Sequence, residues 1–114
     1  LDKLAHHPAS GLPFGTLKRL EIARALAASP RFLLLDEPAA GLTHSEVDEL
    51  ADTIVSLREK FNLTILLVEH HMAMVMRISD QVVAMEFGRK IAEGTPKQVQ
   101  NDENVIRAYL GGDV

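Results

Sequence analysis

The chain has 114 residues, a formal net charge of −4, 46% hydrophobic and 25% charged residues, 4% aromatic residues and no cysteine. That length suits one domain with a modest core. The negative balance gives no general attraction to nucleic acid, the few aromatics argue against a base-stacking platform, and no apolar run reaches the ~18 residues of a bilayer span. The first residues carry no secretory pattern, so a cytosolic setting is the expectation. The chain opens on Leu1 rather than Met, and Leu1 to Pro8 read like the end of something, so a piece of a longer protein is expected.

Residues 1–14 read as loop, punctuated by Pro8, Gly11 and Pro13. From Gly15 to about Ala28 the spacing of Leu17, Leu20, Ala23 and Ala27 predicts a helix, stopped by Ser29-Pro30. Residues 32–35 form a predicted buried strand. Thr43 and Glu46 have the spacing of a capping box, opening a helix that runs to about Phe61 with Val47, Leu50, Ala51, Ile54, Leu57 and Phe61 as its apolar stripe. Residues 64–68 are a second predicted buried strand, and 72–78 a short helix. Two strands at 81–85 and 89–93 join as a hairpin through Glu86-Phe87-Gly88. Thr95, Pro96 and Gln98 open another capped helix, and a last helix spans Glu103 to Leu110, ended by Gly111-Gly112. Strands alternating with helices predict a parallel sheet with helices packed on it.

Three places carry chemistry. Four apolar residues, Phe32 to Leu35, end in Asp36-Glu37-Pro38. The carboxyl end of such a strand is where open α/β sheets bind ligands. An acid there can hold Mg²⁺ and its neighbour can polarise a water. The plain alternative is a strand running into a polar turn. The second place is the helix start at Leu12-Pro13-Phe14-Gly15-Thr16, where a glycine and the helix dipole suit an anion. The alternative is an ordinary loop-to-helix junction. The third is His70, at the end of the second strand, placed either to bond a phosphate or a water or simply to sit in a loop. His70-His71 lacks the spacing and the cysteines of a zinc site. His6-His7 has no evident partner in the sequence.

The order Leu12-Pro13-Phe14-Gly15, Glu21-Ile22-Ala23-Arg24-Ala25-Leu26, Leu33-Leu34-Leu35-Asp36-Glu37-Pro38 and Val68-Glu69-His70 resembles the ATP-binding subunits of ABC transporters. The resemblance covers the whole chain but only the C-terminal half of that family's nucleotide-binding domain. Phe87-Gly88-Arg89-Lys90-Ile91-Ala92-Glu93-Gly94-Thr95-Pro96 and Ala108-Tyr109-Leu110-Gly111 look like the branch that imports branched-chain amino acids, with urea-type and amide importers similar here.

The resemblance implies a fold, a function and a set of roles. The fold is α/β, a P-loop NTPase-type (ABC ATPase) parallel sheet with flanking helices. It is a partial domain lacking the Walker A half, with a C-terminal hairpin and helices. The function is an ATP-hydrolysing importer subunit using ATP and Mg²⁺. Its partners would be a second ATP-binding subunit, transmembrane permease subunits and, indirectly, a solute-binding protein, with no nucleic acid. Its place would be peripheral, on the cytoplasmic face of the plasma membrane. Leu12, Pro13, Phe14, Gly15 and Thr16 match the signature loop, which caps the γ-phosphate of ATP held by the opposite subunit. Asp36 matches the Mg²⁺-organising aspartate and Glu37 the general base. Ala39 to Leu42, with Gly41, match the D-loop, and His70 matches the switch histidine. Phosphoryl transfer rests on positioning and charge neutralisation, so these residue types suit it.

Pro13 stands where the family usually has Ser, Thr16 where it has Gln, and His71 where Asp is common. Gly15 and the helix N-terminus are therefore expected to carry the anion contact, with the role of Thr16 open. No G-x-x-x-x-G-K-[ST] occurs in these residues, so the chain alone is expected not to hydrolyse ATP. The family's strand beside 64–68 is missing as well, so an unpaired sheet edge or a gap is expected. The competing function is a non-catalytic module that borrows the fold to pair with a full-length ATPase subunit.

Overall fold

Strands and helices alternate along the chain as the residue pattern predicts. The computed structural model describes residues 1–109, in two compact units: Leu1–His70, and His71 onward.

The first unit opens with a short 3-10 turn at Asp2–Leu4, inside the stretch expected to be loop. Helix α1 (Phe14–Leu26) follows, starting one residue before the expected Gly15 and ending two short of the expected Ala28. Only Ile22 of its apolar positions is fully buried, and Leu20 is exposed. Ser29 takes a left-handed backbone (φ 52°) before Pro30, which turns the chain into strand β1 (Phe32–Asp36).

Helix α2 (His44–Phe61) has the expected capping box: the Thr43 hydroxyl accepts from the Glu46 N–H and the Glu46 carboxylate accepts from the Thr43 N–H. Val47, Leu50, Ala51 and Ile54 are buried as expected, whereas Phe61 is half exposed at the helix end. Asn62 ends the helix in the left-handed conformation its short amide side chain tolerates. Strand β2 (Thr64–Val68) then pairs parallel with β1, Phe32 opposite Thr64 through Asp36 opposite Val68.

The two strands are not buried on both faces, which corrects the reading of their continuous apolar runs. Leu33 is buried, and Leu35, Ile65 and Leu67 on the same face are half-buried. Phe32, Leu34, Leu66 and Val68 on the other face are each more than half exposed. Parallel strands this apolar are built for cover on both sides. Among the described residues of this unit only one face receives it.

In the second unit, helix α3 (Met72–Ile78) precedes strands β3 (Val82–Glu86) and β4 (Arg89–Gly94). The hairpin turns on Phe87 and Gly88, both at positive φ (50° and 77°), the geometry that matches strand twist. A bulge interrupts the register between Ala84 and Met85. Helix α4 (Pro96–Gln100) carries the expected box, with Thr95 and Gln98 capping each other. It packs against both strands and against α3 and α5 (Glu103–Tyr109). Val82, Val99 and Val105 form the core of this unit. Tyr109 donates its hydroxyl to the Met85 carbonyl. Leu110 and the expected stop at Gly111-Gly112 lie outside the described residues.

On β4 the Lys90 ammonium lies 2.8 Å from the Glu93 carboxylate. That hydrogen bond, together with the ammonium's charge and a hydrogen bond from Gln81, holds the Glu93 carboxyl below the usual carboxylate range. The same bond and the carboxylate's charge raise Lys90 above its ordinary value.

Candidate active site

Pairing Asp36 with Val68 brings the carboxyl ends of β1 and β2 to one edge, so the segments that follow meet there. Three cross-links join them. The Glu37 N–H donates to the Val68 carbonyl at 2.7 Å. The Ala39 N–H donates to Glu69 Oε2 at 3.0 Å. Glu37 Oε1 lies 3.0 Å from His70 Nδ1.

Glu37 sits at φ 47°, a left-handed backbone that a non-glycine residue seldom adopts and that recurs at functional sites. This turn ends the strand. The chain then folds tightly, with Ala40 N–H bonded to the Glu37 carbonyl and Leu42 N–H to that of Ala39. Both partners of the Glu37–His70 contact face solvent, with side chains 51% and 70% exposed. A carboxylate can only accept, so Nδ1 carries the proton in this contact. A neutral imidazole then presents Nε2 as an acceptor, and only the doubly protonated ring donates from both nitrogens. The contact uses one carboxylate oxygen, leaving the other as the one a water would address.

Asp36 is exposed at the end of β1 and borders a cleft with Lys18, Glu21 and Pro38. Among the described residues no cluster of three or more His, Cys, Asp or Glu side chains is arranged to hold a metal ion. A single acid does fit the habit of Mg²⁺, which takes one or two carboxylates and completes its shell with phosphates and water.

Leu12 to Thr16 form a second constellation. Pro13 is the N-cap of α1 and has no side-chain cap to give. The first N–H groups of the helix are thus left to another acceptor. Pro13, Gly15 and Thr16 line a cleft with Lys18 and Arg19 on one side and Glu46 and Glu49 of α2 on the other. A Cβ on Gly15 would run into the Glu46 carboxylate. Gly41 is at φ 80°, and a Cβ there would lie 2.9 Å from Phe14 Cε1. The loop after β1 therefore packs onto the first residue of α1, and Gly41 has a packing reason as well as a conformational one.

Glu69 is the residue sequence reasoning missed. Its side chain is 1% exposed, and its two oxygens accept from the N–H groups of Ala39 and His70 at 3.0 Å each. A signal for it existed. Strand alternation puts residue 69 on the inward face with Ile65 and Leu67, and an inward acid must find donors.

Known proteins resemble this chain in sequence and in fold. Residues 89–114 match the family model described as branched-chain amino acid ATP-binding cassette transporter. Over 111 residues the chain is 48% identical to the high-affinity branched-chain amino acid transport ATP-binding protein BraF of Pseudomonas aeruginosa, covering 97% of this chain and 44% of BraF. Over 107 residues it is 50% identical to LivG of Escherichia coli K12, which carries the same description, covering 94% of this chain and 42% of LivG. The solved structure of cbiO1 from Clostridium perfringens, part of an ABC transporter complex, superposes with a TM-score of 0.84 at 36% identity, over 94% of this chain and 43% of that one.

Over nearly all its length the chain is similar to part of the ATP-binding cassette proteins. Its fold is that of part of an ABC ATPase domain, and it spans less than half the length of the relatives it matches.

Proposed function

We propose that these 114 residues supply hydrolytic elements of the ATP-binding subunit of an importer for branched-chain amino acids. The observation that carries the proposal is the 3.0 Å contact between Glu37 and His70 at the carboxyl ends of two parallel strands. Glu37 is the general base that takes a proton from the attacking water, and His70 orients it through Nδ1, its Nε2 donating to the phosphate only when the ring is doubly protonated. Asp36 supplies one ligand to Mg²⁺ on the nucleotide, and the metal supplies charge neutralisation. Leu12, Pro13, Phe14, Gly15 and Thr16 meet the ATP held by a second ATP-binding subunit, with the α1 N-terminus as the anion contact. Gly41 keeps the loop after β1 in the shape the paired subunits require.

The solute class is supported by the match of residues 89–114 and by the descriptions of BraF and LivG. No helix among the described residues is long and apolar enough to cross a membrane. Transport therefore calls for permease subunits in the membrane, with this subunit at its cytoplasmic face and a solute-binding protein acting on the other side.

Glu37→Gln in the full-length protein tests the reading. General-base assistance contributes about 10²–10⁴-fold, so hydrolysis is expected to fall by at least ~10² while ATP still binds. Normal turnover in that variant would remove Glu37 from its role. The purified 114-residue chain, lacking G-x-x-x-x-G-K-[ST], is expected to show no turnover.

A further inference from the structure

The Glu69 carboxylate is almost fully withdrawn from water, at 1% side-chain exposure. An ionised group so placed must be compensated by donors, and backbone N–H groups make strong charge-assisted bonds to it. Two of its donors belong to the residues around the Glu37–His70 contact, and the His70 Nδ1 also lies 3.8 Å from Glu69 Oε1. One of these two is the N–H of Ala39, two residues after Glu37, and the second is the N–H of His70. Glu37 holds a left-handed backbone that its neighbours must maintain. It is bracketed by its own N–H bond to Val68 before the turn and by the Ala39–Glu69 bond after it.

We infer that Glu69 is a positioning residue for hydrolysis, its buried carboxylate clamping the loop after β1 and the backbone of His70 in one register so that Glu37 meets the imidazole. This rests on the reading of Glu37 and His70 as the hydrolytic pair. Both oxygens are needed. A glutamine has one accepting oxygen, and its NH₂ group would face the other N–H, donor against donor. One of the two bonds would be lost with almost no change of volume.

The test is Glu69→Gln in the full-length protein. Misplacement of a reacting group by about 1 Å costs about 10²-fold, so kcat is expected to fall ~10–100-fold with KM nearly unchanged. With alanine and histidine amides labelled, the Ala39 or His70 amide proton is expected to move upfield. In a His70→Ala background the substitution is expected to lower the residual kcat little further, because residues acting as one unit are not additive. Equal losses in both backgrounds, or amide shifts that stay in place, would overturn the clamp. Turnover lost in Glu37→Gln and His70→Ala but kept in Glu69→Gln would overturn the clamp alone. Turnover kept in all three would overturn the hydrolytic pair and the clamp with it. Should Glu69→Gln fail to fold, Glu69→Asp keeps the charge one methylene short of both donors. The same losses and the same amide shifts are expected of it, and wild-type kcat there would overturn the clamp.

Discussion

Replacing Gly41 with alanine separates backbone strain from packing in the loop after β1. The residue sits at φ 80°, where a side chain is disfavoured by about 1–2 kcal/mol. The new Cβ would also lie 2.9 Å from Phe14 Cε1, inside van der Waals distance. Phe14 is half exposed, with the Lys18 ammonium 5.2 Å from its ring centre, so the ring can yield toward solvent. The packing part then belongs at the low end of overpacking costs, about 1 kcal/mol, for a total of roughly 2–3 kcal/mol. Denaturant unfolding of Gly41→Ala, Phe14→Ala and the double variant resolves the two parts. In the Phe14→Ala background the glycine substitution should cost about 1 kcal/mol less than in the wild type. Equal costs in both backgrounds would refute the contact, and no cost in either would refute the strained backbone as well.

Other perturbations read other parts of the molecule. Thr43→Ala removes the hydroxyl half of the α2 capping box and should cost about 1 kcal/mol in denaturant unfolding. Val105→Ala, at a fully buried position packed with Val82 and Val99, should cost about 2–3 kcal/mol from lost burial plus cavity. Glu93 has a depressed folded-state pKa, so its contribution is present above the unfolded carboxylate value and lost as pH falls through the folded one. Lys90 is raised, so its contribution is present below the unfolded amine value and lost as pH rises through the folded one. An NMR titration should therefore find the Glu93 carboxyl titrating at lower pH than exposed glutamates, and Lys90→Met should move its midpoint up. An unmoved midpoint would show the pair is not formed in solution.

Much of this architecture is legible in the residues because local chemistry and tertiary structure agree. The Thr43–Glu46 and Thr95–Gln98 boxes both form, Asn62 stops α2, and the α2 stripe from Val47 to Ile54 is the buried one. The meeting of Glu37 with His70 is legible for a topological reason. Two parallel strands joined through a helix must deliver their carboxyl ends to the same edge. What composition could not convey is how much cover each strand receives. Leu34 and Leu66 read as core by hydropathy, yet burial depends on which other elements are present, and one face of this pair is exposed. The helix α1 stripe fails for the same reason, with Leu20 exposed although its spacing is helical. The left-handed backbone at Glu37 is illegible in a different way. Nothing in Asp36-Glu37-Pro38 itself demands φ 47°, and the conformation is imposed by the bonds that hold the loop to the end of β2.

Those bonds suggest why Glu37 follows β1 and the histidine follows β2 rather than the two sharing one loop. A carboxylate and an imidazole on one exposed loop would wander independently, since both are long side chains facing water. On two adjacent strand ends their backbones are tied by the ladder, by Glu37 to Val68, and by Ala39 and His70 through Glu69. The exposed side chains then need only small rotations to meet. Substituting Val68 should do little to the pair, because that residue contributes its carbonyl to Glu37, whereas loss of the inward carboxylate at 69 should uncouple the loops. Turnover in Val68→Ala held near wild type, beside the fall in Glu69→Gln, would separate backbone anchoring from side-chain burial on this strand. A fall in Val68→Ala as large as that in Glu69→Gln would mean instead that the exposed valine side chain takes part in assembling the site.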